Sequence, residues 1–386
     1  MPRDRVAQPA LSDALVMPRD KMDEPVEHNR LSYQESMELL WLDEDAKGGK
    51  QTMMSRQPAW YPGKDAPWES MRGSSDEKKF FGRGAFGGHV YAQAPLAAAR
   101  VVEKADVQTP AKDRLGIHSI HGVFTNPGFI DRPFIYEVAK VFSSRSFSTH
   151  TINARQPKEP SGIPNGPFPP SDAQLPLGDV CFTCVTTFKR PLTGPSDVQD
   201  ETPPQKRFAR ILESRAPDEW EASPQADIDL LRETFPVKGH ASFPILDMYK
   251  VDMTEFNKDK ALSDRRQLIL YRLYKPLPAE DVNAHITCHA FEADRNGFIM
   301  LGNHLGYGYN MGPVASLSYS FYVHVNAEEA VMRGDGWWIQ EVYWPRVNAG
   351  RGMMESRIWS PEGLHVASGY QDGICLPARS TEKARI

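Results

Sequence analysis

The chain repeats one order of predicted elements, and this repeat constrains its fold more than any other feature of the sequence. In the second half, Glu280 and Asp281 stand where a helix N-terminus favours negative charge, and the helical pattern runs to Asp294. A Gly-rich loop is expected next, followed by strands in which apolar residues alternate with small or polar ones. One strand is predicted before the helix at Arg266–Tyr274, and four after it at Val314–Val325, Trp337–Val347, Gly352–Ser360 and Leu364–Leu376.

The first half has the same order. Four glycines from Gly82 to Gly88 precede an Ala-dense helix that runs to Val102, with Pro95 as a kink or an irregular start. A strand is expected before it over 51–61, and a short amphipathic helix over 32–42. Strands are predicted after it at Ile117–Phe124, Phe134–Phe142, Ser146–Ala154 and Val180–Lys189. An internal duplication of one α+β unit is the economical explanation.

The predicted domains follow this repeat. The 386 residues are enough for two domains of ordinary size. We expect a flexible N-terminal extension over 1–45, an N-terminal unit over 46–190, a linker over 191–240 and a C-terminal unit over 241–380. The linker is rich in Pro and acidic residues and contains a helical patch at Lys206–Glu213.

Composition excludes several classes of protein. The formal net charge of −5 gives no broad basic surface, so no nucleic-acid partner is expected. No apolar run approaches the roughly 20 residues of a membrane span. Four cysteines do not make a disulfide framework, and the N-terminus lacks the apolar stretch of a signal peptide, so we expect no secretion. Ala384-Arg385-Ile386 resembles a peroxisomal address, which makes the expected location cytoplasmic or peroxisomal.

Three segments resemble a known family. They read FGGHVYAQAPLAAA from Phe86, HSIHGVFTNPGFIDRPFIYEVAKVFSSRSFSTHTINARQ from His118 and GRGMMESRIWSPEGLHVASGYQDGI from Gly350. Together they are similar to the type II (TesB-like) acyl-CoA thioesterases from about residue 50 to residue 377. The resemblance implies a double hotdog fold, in which each half wraps a curved antiparallel sheet around one long helix. It also implies that a fatty acyl-CoA is hydrolysed to free acid and CoA without metal, cofactor or covalent intermediate.

The resemblance also implies the site residues. The family activates water with an Asp, a Thr or Ser, and a Gln, and these fall on Asp294 in FEADRNGF, Ser316 in VASLSYSF and Gln371 in VASGYQDGI. Such a trio is chemically sensible, because the carboxylate can take a proton from a water that the other two side chains orient. A helix N-terminus or the adjoining Gly-rich loop can supply N–H donors for the developing oxyanion.

The chain departs from the family pattern at two places. The usual Asp-His after the hydroxyl reads Ser318-Tyr319, and the usual Gly-Gly-Gln reads Gly87-Gly88-His89. His89, Tyr319 and Gly88 are therefore candidate substrate-binding residues. One alternative is a repurposed hotdog enzyme, a dehydratase, isomerase or cyclase acting on a thioester or polyketide-like intermediate. Another is a non-catalytic acyl-CoA binder, and assembly into a homo-oligomer is open in each case.

Simpler interpretations exist for the same residues. Taken alone, an Asp before Asn-Gly is usually a turn former, which is the alternative reading of Asp294. His285 and His289 are four residues apart on the predicted helix and match metal-ligand spacing. No convincing third ligand accompanies them, so a structural or surface role is favoured and no metal is predicted.

Overall fold

The computed structural model describes residues 30–43, 49–62, 84–200, 202–223, 227, 243–295 and 297–378. In this part of the chain, thirteen strands form one antiparallel sheet. They are β1 Leu39–Asp43, β2 Lys50–Ser55, β3 Gly116–Phe124, β4 Ile135–Ser143, β5 Phe147–Pro157, β6 Leu177–Lys189, β7 Glu221–Ala222, β8 Leu246–Lys250, β9 Gln267–Leu273, β10 Met311–Val323, β11 Trp338–Asn348, β12 Arg351–Trp359 and β13 His365–Pro377. Every predicted strand of the two meanders is confirmed, with ends that differ by three residues or fewer.

The strand order shows the duplication directly. The first half contributes β1-β2-β4-β5-β6-β3, and the second contributes β10-β13-β12-β11-β9-β8-β7. The halves meet where β3 pairs with β10, from Val123 beside Ser318 to Ser119 beside Tyr322. Because these two strands hydrogen-bond to each other, the sheets of both units continue into one. The predicted double hotdog fold is confirmed.

Seven α-helices accompany the described strands. They are α1 Tyr33–Ser36, α2 Gly87–Ala105, α3 Pro204–Arg207, α4 Ala209–Leu212, α5 Thr254–Asn257, α6 Val282–Ala293 and α7 Gly297–His304. Short 3-10 turns lie at Ala111–Asp113, Pro170–Gln174, Pro217–Glu219, Leu262–Asp264, Gly308–Asn310 and Ala327–Ala330. Among the helices described, none combines the length and the apolar character needed to cross a membrane.

The core is built around α2 and α6, which pack against each other inside the sheet. Helix α2 contains Pro95 and buries five of its alanines completely. Alanine favours the helix and its small side chain allows close approach of the sheet. All residues of α6 from Asn283 to Ala293 are buried. Where the helices meet, the Phe86 and Phe291 rings pack edge to face with centroids 5.2 Å apart.

Two local predictions were wrong. The amphipathic helix expected over 32–42 is only the four-residue α1, capped by Ser32 and Glu35, and the apolar residues after it form β1. The Gly-rich loop expected after α6 contains helix α7, which buries Phe298 and Leu301. In both segments the packing of apolar side chains against the core decides the backbone conformation over local propensity.

Helical and strand segments lie outside the two predicted units. Strand β1 joins the first half of the sheet, and Tyr33 of α1 donates from Oη to Thr287 Oγ1 on α6, although a flexible extension was expected to reach residue 45. Residues 1–29 of that extension lie outside the described part. The predicted linker contains α3, α4 and β7, and β7 adds to the second half of the sheet by pairing with β8. The division into units over 46–190 and 241–380 remains our proposal.

Candidate active site

Asp294 ends helix α6 and lies in the interior. It is the C-cap residue of the helix, and only 5% of its surface is exposed. The helix therefore delivers a carboxyl group to the crossing of α2, α6 and the sheet. A buried carboxylate is costly unless hydrogen-bond donors surround it, so its neighbours determine what it can do.

A bulge in β10 brings Ser316 to this carboxyl group. The pairing of β10 with β13 shifts between Ser316, opposite Gly373, and Ser318, opposite Asp372. The extra residue turns the strand locally, as bulges do beside many active sites. The hydroxyl of half-buried Ser316 donates to Asp294 Oδ1 over 3.4 Å.

Gln371 on β13 completes the cluster and is 1% exposed. Its Nε2 donates to Asp294 Oδ1, and over 2.6 Å also to Ser316 Oγ. The three predicted catalytic residues therefore meet at one carboxylate oxygen. Their catalytic roles remain a prediction, but their convergence is an observation of this fold.

The N-terminus of α2 reaches the same carboxyl group from the first half. The backbone N–H of Gly88 donates to Asp294. A Cβ on Gly87 would lie 2.8 Å from Asp294 Oδ2, so the helix backbone closely approaches this oxygen. The site is thus assembled by both repeats, with the acid from the second half and helix N–H groups from the first.

The environment gives Asp294 an unusual proton affinity. Burial raises its pKa from 3.8 to about 7, and the hydrogen bonds from Gln371, Gly88 and Ser316 oppose that rise. A pKa near the working pH suits a group that must both accept and return a proton. The electrostatics therefore favour a general base.

The structure places the three candidate substrate-binding residues differently. Gly88 touches Asp294 through its N–H. Tyr319 pairs with Gln371 across β10 and β13, and its ring stacks on Tyr91 at 4.4 Å. His89 is fully buried, and its Nδ1 accepts from Trp60 N over 3.5 Å. Substrate binding by these residues stays a prediction.

The two histidines of α6 have protein partners at both ring nitrogens. His289 contacts Tyr271 Oη at 2.7 Å and Ala330 O at 2.8 Å. His285 contacts Pro278 O and Met332 N, each at 3.2 Å. Both rings thus hold the helix in place, which is a structural role. Within the described ranges, no group of three or more His, Cys, Asp or Glu side chains is arranged to hold a metal ion.

Sequence reasoning missed Glu292, which lies two residues before Asp294 and is completely buried. A signal was available, because Cys288 and Glu292 are four residues apart on a predicted helix face that also carries apolar residues. A charged residue on such a face is unusual and points to a specific environment.

Two sequence models of a known family match this chain. The acyl-CoA thioesterase N-terminal domain matches residues 77–188, and the C-terminal domain matches residues 253–375. Together they span more than half of the chain. The chain belongs to the acyl-CoA thioesterase family. Membership confirms the predicted resemblance to the type II enzymes and the prediction of a thioester hydrolase, and it leaves the roles of individual residues open.

Relatives of this family member are about a quarter identical to it over the aligned residues. Mouse acyl-coenzyme A thioesterase 8 is 23% identical over 295 residues, which cover 75% of this chain and 79% of the relative. Acyl-CoA thioesterase 2 of Haemophilus influenzae is 23% identical over 303 residues, which cover 78% of this chain and 91% of the relative.

Solved structures of similar proteins show the same fold. The acyl-CoA thioesterase II TesB2 of Mycobacterium marinum superposes with a TM-score of 0.57 at 20% identity, covering 90% of this chain and 98% of that one. A tesB protein of Mycobacterium avium subsp. paratuberculosis gives a TM-score of 0.54 at 17% identity, covering 89% and 98%. Such likeness supports the double hotdog architecture of this thioesterase family member.

Proposed function

We propose that the chain hydrolyses an acyl-CoA to a free acid and CoA, with a water molecule activated by Asp294, Ser316 and Gln371. The observation that carries this proposal is the meeting of the three side chains at Asp294 Oδ1. A hydroxyl, an amide and a carboxylate provide the donors and acceptors that orient one water molecule. The family to which the chain belongs supplies the class of substrate.

In the proposed reaction, ionised Asp294 takes a proton as the water oxygen attacks the thioester carbon. Ser316 and Gln371 hold the water in line, so its ordering is achieved before the reaction begins. The tetrahedral oxyanion then collapses, the carbon–sulfur bond breaks and the thiolate of CoA leaves. Asp294 returns the proton to the thiolate, which restores the starting state without a covalent enzyme intermediate.

The N-terminus of α2 is the proposed stabiliser of the oxyanion. The first N–H groups of a helix have no partner inside the helix, and the helix dipole favours negative charge there. Gly88 directs its N–H at the Asp294 carboxyl group, which places the start of α2 beside the proposed site of reaction. Preorganised donors of this kind are worth about 10²–10³ in rate.

The direct test is release of free CoA from a panel of acyl-CoAs, with product masses recorded. We expect Asp294→Asn to reduce kcat by at least about 10²-fold, because an amide cannot take the proton. Wild-type turnover in that variant would refute the role of Asp294. A product that has not gained water would instead support a dehydratase, isomerase or cyclase.

Two serines of β10 make a matched pair of variants. Ser316→Ala removes a donor to Asp294, and we expect kcat to fall about 10–100-fold. Ser318, on the far side of the bulge, pairs with Val123 and Asp372. Ser318→Ala should stay within about twofold of wild type, since it leaves the hydrogen bonds to the carboxyl group intact.

Compartment and assembly are also proposals. We propose a cytoplasmic or peroxisomal location, with Ala384-Arg385-Ile386 as the candidate peroxisomal address, and we keep both a monomer and a homo-oligomer as candidate states of assembly. A fluorescent reporter that carries the last twelve residues tests the address, and a purely cytosolic signal would exclude the peroxisomal location. Sedimentation at several protein concentrations tests assembly, and a single monomeric species would exclude the homo-oligomer.

A further inference from the structure

Glu292 is a buried carboxyl group without a hydrogen-bond partner in the described structure. It is 0% exposed, and both of its Oε atoms are unpaired. It interacts electrostatically with Tyr271 and Tyr319, so it faces the inner surface of the sheet. Burial raises its pKa well above the usual range, against the charge of Arg295. This rise favours the protonated form of Glu292, which can donate one hydrogen bond and accept others.

Opposite Glu292, the sheet presents further buried polar atoms. Tyr319 Oη and Ser356 Oγ lie 2.4 Å and 2.7 Å from where a Cβ of Gly369 would stand, so the two hydroxyls face each other over that glycine. Gln340 donates from Nε2 to Ala293 O over 3.2 Å, which leaves its Oε1 unpaired. The Tyr319 hydroxyl interacts with that of Ser356, and neither has a further hydrogen-bond partner among the described residues.

These groups form one row across adjacent strands. Tyr319 on β10 lies opposite Gln371 on β13, and Gly369 is two residues before Gln371 on that strand. Gly369 lies opposite Ser356 on β12, and Ser356 lies opposite Val342 on β11. Because side chains two residues apart share a face, Gln340 is on the same inner side as Val342. The polar row, defined as Glu292, Tyr319, Ser356 and Gln340, therefore begins beside the proposed catalytic trio.

A row of buried polar atoms, in which both Glu292 Oε atoms and Gln340 Oε1 have no partner among the described residues, is a poor surface for a plain alkyl chain. Leaving buried donors and acceptors without partners is strongly unfavourable, and an alkyl chain cannot relieve it. An oxygen on the acyl chain can supply the missing partners. A hydroxyl both donates and accepts, and a carbonyl oxygen accepts a hydrogen bond from protonated Glu292. A site built to bond a substrate oxygen discriminates sharply against the analogue that lacks it.

We propose that the polar row binds the acyl part of the substrate and that Glu292 selects acyl-CoA esters whose chain carries a hydroxyl or carbonyl oxygen. This inference rests on the proposed hydrolase function, since it takes the trio as the position of the thioester. It assigns Glu292 as a specificity-determining residue and leaves the water-activating chemistry to Asp294, Ser316 and Gln371.

The test compares octanoyl-CoA with 3-hydroxyoctanoyl-CoA and 8-hydroxyoctanoyl-CoA. We expect the wild-type enzyme to show a kcat/KM for at least one hydroxylated ester that is about tenfold or more above that for octanoyl-CoA. Glu292→Gln keeps a donor and an acceptor, and should hold this ratio within about threefold. Glu292→Leu removes both at similar volume and should bring the ratio close to one.

The inference is overturned if octanoyl-CoA is the best substrate of the wild-type enzyme, or if Glu292→Leu leaves the ratio unchanged. Should Glu292→Leu fail to fold, Ser356→Ala provides a smaller change in the same row, and the ratio is expected to fall about threefold or more. An unchanged ratio in that variant would also count against the row.

Binding separates this inference from the hydrolase proposal. Dissociation constants of the same three esters are measured by calorimetry on the Asp294→Asn protein, which needs no turnover. Tighter binding of a hydroxylated ester supports the polar row even if no ester is hydrolysed by the wild-type chain. Equal affinities for all three esters would overturn the row while leaving hydrolysis to its own assay.

Discussion

A Cβ on Gly87 would stand 2.8 Å from Asp294 Oδ2, so this position tolerates no side chain while the carboxyl group keeps its place. We expect Gly87→Ala to reduce kcat/KM by about 10-fold or more, because a small displacement of a catalytic group is costly. Alanine is the better helix former, so the loss is not expected to come from a weakened α2. Steady-state release of CoA measures the effect.

Gly84 provides the matched control for this substitution. A Cβ there would meet nothing within 4 Å, and the residue lies just before the same helix. Gly84→Ala should retain activity within about twofold, as expected for a change that disturbs no contact. Equal activity of the Gly84 and Gly87 variants would show that close approach of α2 to Asp294 is unimportant.

The acidity of Asp294 predicts a pH profile for hydrolysis. Its pKa is about 7, raised by burial, and only the ionised form can take a proton from water. We therefore expect kcat/KM to rise about tenfold per pH unit below that pKa and to level off above it. Rates with one acyl-CoA between pH 5 and pH 9 provide the measurement. A profile that stays flat down to pH 5 would exclude Asp294 as the base.

The same shift predicts how stability depends on pH. Between 3.8 and about 7 the folded protein keeps the Asp294 proton while the unfolded chain has lost it. Because the folded state binds more protons there, stability falls as pH rises through this window. At about 1.36 kcal/mol per pKa unit, the full cost approaches ~4 kcal/mol above pH 7.

Asp294→Asn isolates this contribution, since an amide does not ionise. We expect the free energy of unfolding of the variant, relative to wild type, to increase by up to ~4 kcal/mol from pH 4 to pH 8. Urea denaturation at several pH values, analysed with a common slope, provides these differences. A difference that does not change with pH would mean that Asp294 is not perturbed by the fold.

The duplicated order of strands and helices could be predicted because it depends on local features, the alternation of apolar and polar residues and the positions of turn residues. Helix α7 could not be predicted because it depends on contacts with distant residues. Its segment carries Gly302 and begins at Gly297, which suggest a loop, whereas burial of Phe298, Met300 and Leu301 makes it helical. That burial depends on the sheet formed by residues far away in sequence, so local propensity cannot reveal it.

Part of the candidate site could also be predicted from the sequence, and part could not. The resemblance to the family identified Asp294, Ser316 and Gln371, although these residues are separated by 22, 55 and 77 positions. The close approach of Gly87 to Asp294 and the polar row could not be predicted. They depend on how α2 crosses α6 and on the register of four strands. Register becomes visible only once the sheet is assembled.

The last prediction concerns the link between the two repeats at the other end of the helices. The guanidinium of Arg100 on α2 donates to both carboxylate oxygens of Asp281, over 3.0 Å and 2.7 Å. Asp281 Oδ1 also accepts from Ala284 N at 3.2 Å and caps α6. We expect Asp281→Ala to lower the free energy of unfolding by about 1–3 kcal/mol, since it removes a cap and a partly exposed ion pair.

Two further variants separate these contributions. Asp281→Asn keeps an acceptor for the cap but loses the charge opposite Arg100, so it should cost roughly half as much, about 1 kcal/mol. Glu280→Ala changes the exposed neighbour and should stay within about 0.5 kcal/mol of wild type. Midpoints of urea denaturation at unchanged slope report all three. If Asp281→Ala is as stable as Glu280→Ala, the pair does not hold α2 and α6 together, and helix contacts such as Phe86 against Phe291 must do so instead.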